Sequence, residues 1–158
     1  MAGSDTSEPL EAPQRCSIGI VASSFNDYVV DRLLQGCTRT LSRAGIEQDQ
    51  ITLLRVPGAF EIPVAAAALA RSGSVEAIVC LGAVIRGETA HFDYIAAECA
   101  RGIARVALDT LVPVIFGVLT VDDVQQAIER CGDDDGNKGC EAAAAAVRMV
   151  AMMRTLQE

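Results

Sequence analysis

Short, β-branched apolar runs alternate with longer stretches of helical periodicity along this chain, and that alternation leaves few folds open. The runs are CSIGIVAS (16–23), ITLLRVP (51–57), AIVCLGAVI (77–85) and PVIFGVL (113–119). They are nearly continuous in apolar character, as strands buried on both faces are. Helical patterns fill the intervals at about 27–44, 61–71, 90–109 and 122–131, and a last one, 139–157, has no strand after it. This order builds βαβ units, whose strands lie parallel and whose right-handed crossovers cover both faces of the sheet. The expected fold is α/β: a three-layer α/β/α sandwich around a four-stranded parallel sheet.

A chain of 158 residues makes one such domain with room for a real core, here expected over 15–158. The segment before it, MAGSDTSEPLEAPQ, is polar and acidic and lacks the apolar stretch of a secretory signal. Residues 1–14 read as a flexible arm, ordered only where something docks on it. A net charge of −8 argues against nucleic acid and against a polybasic membrane contact. No apolar run approaches the ~20 residues of a membrane span. Six cysteines (16, 37, 80, 99, 131 and 140) include no C-x-x-C pair, and several fall inside strand or helix patterns. They read as reduced, buried thiols of a cytoplasmic protein rather than as disulfides or zinc ligands. A single histidine makes a structural metal site unexpected, and no cofactor-binding signature is present. Helix 139–157, rich in alanine, has too few polar residues to keep one face wet. It is expected to expose an apolar patch used as a subunit contact in a homo-oligomer, the competing reading being a core helix padded with alanine.

In an open parallel sheet, ligands bind beyond the carboxyl ends of the strands. That rule selects four loops, SSFND, PGAFEIP, GAVIRGETAH and FGVLTVDD, each expected to begin where a strand ends. GAVIRGET approaches the phosphate-binding pattern G-x-x-x-x-G-K-[ST], but Glu88 replaces the lysine and would repel a triphosphate. A helix starting near Thr89 or Ala90, with Thr89 as N-cap, still offers free N–H groups and a positive dipole end, enough for one phosphate. The only histidine, His91, falls in that first turn. The dipole there favours neutral imidazole and a bound phosphate favours imidazolium; either state serves proton transfer near neutral pH. In PGAFEIP, Phe60 and Glu61 suit a polar heterocycle, since the ring stacks and the carboxylate accepts N–H or O–H bonds. The competing reading is a core phenylalanine beside a helix-capping glutamate. Phe25 repeats the theme, with Asn26 or Asp27 able to cap the next helix, and Phe116 is a third phenylalanine expected at a strand end. Arg130, in ERCGDDDGNKG, stands where a cation opposes a helix C-terminus, whereas Lys138 precedes the last helix, where the dipole gives a cation no help. That position hints at anion binding.

In this order and at these separations, SSFND, VPGAFEIP, GAVIRGETAHFDY, VPVIFGVLT and ER-x6-NKG resemble the 6,7-dimethyl-8-ribityllumazine synthases, from about Cys16 to the last helix. The resemblance implies the penultimate step of riboflavin biosynthesis. 5-Amino-6-(D-ribitylamino)uracil condenses with 3,4-dihydroxy-2-butanone 4-phosphate, releasing phosphate and water, with neither metal nor organic cofactor. By position it implies that Phe25 stacks on the pyrimidine and that Ala59, Phe60 and Glu61 hold the uracil and ribityl groups. Ala83, Val84 and Ile85 line the same pocket, Glu88 and Thr89 cradle the phosphate with Arg130, and His91 is the acid/base group. Phe116, Arg130 and Lys138 come from the neighbouring subunit of a pentamer or of a sixty-subunit shell of pentamers; riboflavin synthase is a candidate partner. Two features depart from the family pattern. Asp133 to Asp135 put three negative charges near the phosphate site, and Ser24 stands where a basic residue often precedes the phenylalanine. A flavodoxin-like module that holds flavin or lumazine without turnover, or a shell-forming paralogue without catalysis, would need neither His91 nor Arg130.

Overall fold

The computed structural model describes residues 8–158. Its elements run β1 (Ile18–Ser23), α1 (Asp27–Arg43), β2 (Ile51–Val56), α2 (Ile62–Arg71), β3 (Ala77–Ile85), α3 (His91–Thr110), β4 (Val114–Val121), α4 (Val124–Glu129) and α5 (Lys138–Thr155). The four strands form one parallel sheet in the order β2-β1-β3-β4. Helices cover both sides, which gives the three-layer sandwich with flavodoxin-like strand order.

Alternation along the strands divides the core in two. Ile18, Ile20, Val79 and Leu81 face α1 and α5, where they meet Val30, Leu33, Ala143 and Val147. Val21, Ile78 and Cys80 face the other way, onto Ile62, Ala66 and Leu69 of α2 and Cys99, Ile103 and Val106 of α3. β1 is buried throughout. The edge strand β2 is not, and Thr52, Leu53 and Arg55 are exposed, because the helices pack chiefly over the central strands.

Several boundaries shift from the expectation. β4 runs on to Val121 because its pairing with β3 continues through Val84 with Thr120 and Ile85 with Val121. Phe116 is therefore inside the strand, opposite Cys80, and not at a strand end. α4 is shorter than 122–131; Asp123 caps it by accepting the Gln126 N–H at 2.9 Å. The expected apolar face of α5 is largely consumed within the chain: Cys140, Ala142, Ala143, Ala146, Val147 and Val150 are all buried. Small side chains let this helix lie close to α1 and the sheet, so the alanines pad the core. Exposed large apolar residues are found elsewhere, among them Tyr94, Leu108 and Leu111 on or next to α3.

Of the expected arm, residues 1–7 lie outside the described residues. Leu10 and Ala12 pack against the α1–α5 core, and Ala12 donates its N–H to Ala44 O at 2.8 Å. All six cysteines are free and buried. Burial pushes the thiols of Cys16 and Cys99 up to about 11 and that of Cys37 to about 12, so they stay protonated and inert. Among the described residues no helix is long and apolar enough to cross a membrane.

The NKG triplet fixes the start of α5. Asn137 is buried and caps the helix, its Oδ1 accepting the Gly139 N–H at 2.7 Å. Its Nδ2 donates to Arg32 O at 3.1 Å and Gly132 O at 2.8 Å, tying α5 to α1 and to the preceding loop. A Cβ on Gly139 would stand 1.9 Å from Leu33 O, so only glycine allows this approach.

Candidate active site

The carboxyl ends of β1, β2 and β3 bring their loops together through backbone bonds. Ser24 N donates to Val56 O at 2.8 Å and Phe25 N to Pro57 O at 3.0 Å, which carries the β1–β2 pairing out to the rim. Asn26 takes the left-handed conformation, φ 57°, which asparagine tolerates better than most residues. Its carboxamide does not cap α1. It reaches across and donates to Ala83 O at 2.9 Å, lacing the β1 loop to the end of β3. After β2, Gly58 opens a single 3-10 turn, Ala59–Glu61, that delivers Phe60 and Glu61 to the start of α2. Glu61 occupies the N-cap position of α2 but makes no capping bond with its side chain. A Cβ on Gly58 would crowd that carboxylate at 3.2 Å.

These loops enclose a cavity of about 520 Å³ lined by Phe25, Ala59, Phe60, Glu61, Ala83, Val84, Ile85, Gly87, Thr89 and His91, with Phe92 and Ile95 of α3. The size suits a small organic ligand. Phe25 is 71% exposed and Phe60 57%. Neither is a core residue, and both open rings line the same cavity. The uncommitted Glu61 carboxylate and the two open rings give this wall the chemistry for a flat, hydrogen-bonding heterocycle.

On the opposite wall, α3 begins at His91 with Ala90 as its cap residue, one step later than a Thr89 cap would place it. Thr89 still receives the His91 N–H on its hydroxyl, at 3.4 Å. Glu88 is exposed and does not line the cavity, which limits its contribution to its backbone. His91 is likewise exposed and lines the cavity.

Phe116, Arg130 and Lys138 are not part of that cavity. They share a second hollow, about 400 Å³, with β4, Glu141, Ala142 and Ala145, and no residue lines both. Arg130 uses Nη1 to bond Gln126 O at 2.9 Å, so it does close the end of α4 as a helix-terminal cation should. Lys138 pairs with the Glu141 carboxylate at 2.8 and 2.9 Å, a partner three residues along that the sequence reading did not consider. The acidic run turns the other way. Asp134 accepts the Gly136 N–H, and Asp135 pairs with Arg43 of α1 at 3.4 Å. The Asp133 carbonyl takes a bond from Arg39. None of the three aspartates lines the hollow that holds Arg130.

The sequence reading missed Asn26 as a lace, and Phe92 and Ile95 as wall residues. Phe92 stood in view beside His91; its period-three spacing with Ile95 on a helix was the available signal. A larger cleft, about 810 Å³, runs between α1 and the β2 edge, but none of the candidate site residues borders it.

Comparison with known proteins gives an independent line. Residues 15–154 match the family model described as 6,7-dimethyl-8-ribityllumazine synthase. A relative named 6,7-dimethyl-8-ribityllumazine synthase, from Halorhodospira halophila (strain DSM 244 / SL1), is 49% identical over 152 residues. The match covers 96% of this chain and 97% of the relative.

Proposed function

The chain belongs to the 6,7-dimethyl-8-ribityllumazine synthase family, and from that premise we propose how its residues divide the work. The protein is a transferase of riboflavin biosynthesis. It joins 5-amino-6-(D-ribitylamino)uracil to 3,4-dihydroxy-2-butanone 4-phosphate and releases phosphate and water.

The reading of the site rests above all on the gathering of Phe25, Phe60, Glu61, Thr89 and His91 around one cavity. Phe25 stacks on the pyrimidine, while Glu61, with Ala59 and Phe60, holds the uracil and ribityl groups. Ala83, Val84 and Ile85 form the floor. The substrate amine attacks the ketone carbon, and loss of water gives a Schiff base. Removal of a neighbouring proton then lets the C–O bond to phosphate break. Elimination leaves an enol at the former hydroxyl-bearing carbon, which tautomerises to a new carbonyl. The second nitrogen attacks that carbonyl, and a second water leaves as the ring closes. No step asks for a protein nucleophile. His91 takes and returns the protons, and the walls hold the reacting atoms together.

The departing phosphate sits over the Gly87–Thr89 backbone and the Thr89 hydroxyl, at the positive end of α3. Its charge still lacks a cation, because this chain's Arg130 lies in the other hollow. A second copy supplies it. Phe116, Arg130 and Lys138 of the neighbouring subunit close the site, in a pentamer or a shell of pentamers. The same reading makes the enzyme cytoplasmic, needing no metal or organic cofactor, with riboflavin synthase as the partner that takes the product. The acidic run leaves the phosphate site usable because Asp135 is drawn toward α1.

Mixing the purified protein with both substrates and following lumazine absorbance tests the activity; no product at high enzyme concentration rejects it. The assigned roles fail if His91→Ala and Arg130→Ala both turn over like the wild type.

A further inference from the structure

We propose that Arg86 is a positioning residue that clamps the first turn of α3, and with it His91, against the end of β4. The proposal rests on reading His91 as the proton-transfer group. Arg86 is the residue just after β3, and its backbone N–H prolongs the sheet by donating to Val121 O at 2.9 Å. Its guanidinium lies 4.3 Å from the centre of the Phe92 ring. Nη1 bonds Asp93 Oδ1 at 3.2 Å, and Nε bonds Asp122 Oδ1 at 3.0 Å. One planar group therefore holds the two residues that follow His91 and the residue that follows β4.

The far end of the clamp is itself anchored. Asp122 donates its N–H to Gln126 Oε1 at 2.9 Å, and the neighbouring Asp123 caps α4. On the near side, His91 sits at the end of a loop, 86–90, whose residues are all exposed. The N-cap Ala90 has no side chain able to accept the orphan N–H groups. The Thr89 hydroxyl accepts the His91 N–H only at a long 3.4 Å, so this helix end gains from a grip outside it. Isolated exposed ion pairs contribute little. Here three contacts converge on one rigid fork, and the fork is pre-organised in a way that lysine cannot reproduce. Because Phe92 also lines the cavity, releasing Arg86 would free both the imidazole and part of the wall.

His91 is the only histidine in the chain, so carbethoxylation by diethyl pyrocarbonate, followed by the ultraviolet absorbance of carbethoxyhistidine, reports on this position alone. In Arg86→Gln, with native mass unchanged, kcat should fall roughly 10- to 100-fold while both KM values stay within about twofold. The labelling rate of His91, which is already exposed, should change by about twofold or more as the imidazole loses its fixed surroundings. Arg86→Lys should fall between Arg86→Gln and wild type on both readouts. Wild-type kcat and labelling rate in Arg86→Gln would overturn the proposal, and so would a lower kcat with an unchanged labelling rate. If His91→Ala keeps wild-type turnover, the assigned role of His91 is lost, whereas the labelling rate still decides whether the clamp exists. Should Arg86→Gln fail to fold, Asp122→Asn and Asp93→Asn each remove one grip and are judged by the same two measurements.

Discussion

On the proposed roles, His91 and Arg130 serve one reaction from two different hollows, so replacing them should damage different constants. His91→Ala removes the group that moves protons after both substrates are bound. Its kcat should drop about 10²- to 10⁴-fold with KM values little changed. Arg130→Ala removes a charge-assisted bond to the phosphate, which should raise KM for the butanone phosphate by about tenfold or more and leave KM for the uracil near wild type. Steady-state kinetics with each substrate varied in turn checks both. His91 stood out in the sequence as a lone imidazole on the ligand rim, whereas Arg130 read locally as a helix-terminal cation, which it is, and its phosphate role comes only from the family resemblance. Phe60 and Glu61 were legible only as two competing readings. The core-and-cap reading fails on the exposure of Phe60 and the absence of a capping bond from Glu61, and neither follows from residue types. The sequence offers Asn26 or Asp27 as a cap for the next helix, because both residue types commonly cap. The actual bond of Asn26 to Ala83 O joins residues 57 apart in sequence, which no local pattern encodes.

At the scale of elements, the strand and helix series was readable because parallel strands buried on both faces leave a continuous apolar signature. The errors fall where tertiary pairing overrides local pattern, as in the extension of β4 by its neighbour β3. The seating of α5 was the harder matter. An alanine-rich helix looks the same in sequence whether it pads a core or faces another subunit; its buried residues and close approach to α1 show that one face pads the core. That seating has two separable supports. The first is Asn137, buried and fully bonded; Asn137→Ala would leave the carbonyls of Arg32 and Gly132 without their donor. A loss of about 1–3 kcal/mol is expected, read from urea unfolding. The second is Arg154, whose Nε and Nη2 bond Glu76 at 2.7 and 2.8 Å and so hold the end of α5 to the start of β3. The Arg154 bond holds the Glu76 carboxyl below its ordinary value near 4.5, assisted by the Ser17 N–H and outweighing partial burial. A carboxyl with a lowered folded pKa contributes stability above its unfolded pKa and loses it as pH falls through the folded value. The difference in Tm between wild type and Glu76→Gln should therefore be full at neutral pH and shrink progressively below about pH 4.5. Thermal melts across that window test it, and a gap that stays constant in acid would assign the effect to packing instead.

For the whole molecule, the geometry that bears on the proposed mechanism is that the candidate site residues fall into two halves, one in each of two separate hollows. The Phe25–His91 cavity has an aromatic wall and a helix end for an anion, but Arg130 lines the other hollow, on the far side of β4's pairing with β3. Either the halves act separately, or each is completed by the opposite half of another copy. Cyclic symmetry makes the second arrangement repeat around a ring, since a head-to-tail contact that closes gives every subunit one donor edge and one acceptor edge. This distinction can be tested without a structure of the assembly. His91→Ala subunits retain a sound Arg130 half, and Arg130→Ala subunits retain a sound His91 half. Each homogeneous variant is impaired at every site. Unfolded together in equal amounts and reassembled, they should place a sound His91 half against a sound Arg130 half at about a quarter of interfaces. Assayed with butanone phosphate well below its wild-type KM, where the Arg130→Ala parent is also poorly active, the mixture should accordingly rise in activity toward a quarter of wild type, above the average of the two parents. Dilution with wild-type-inactive double variant His91→Ala/Arg130→Ala in place of either parent should give no such gain. If the mixture shows only the parental average while its native mass matches the wild-type assembly, Arg130 acts on its own chain's site or on none, and the shared-site reading fails.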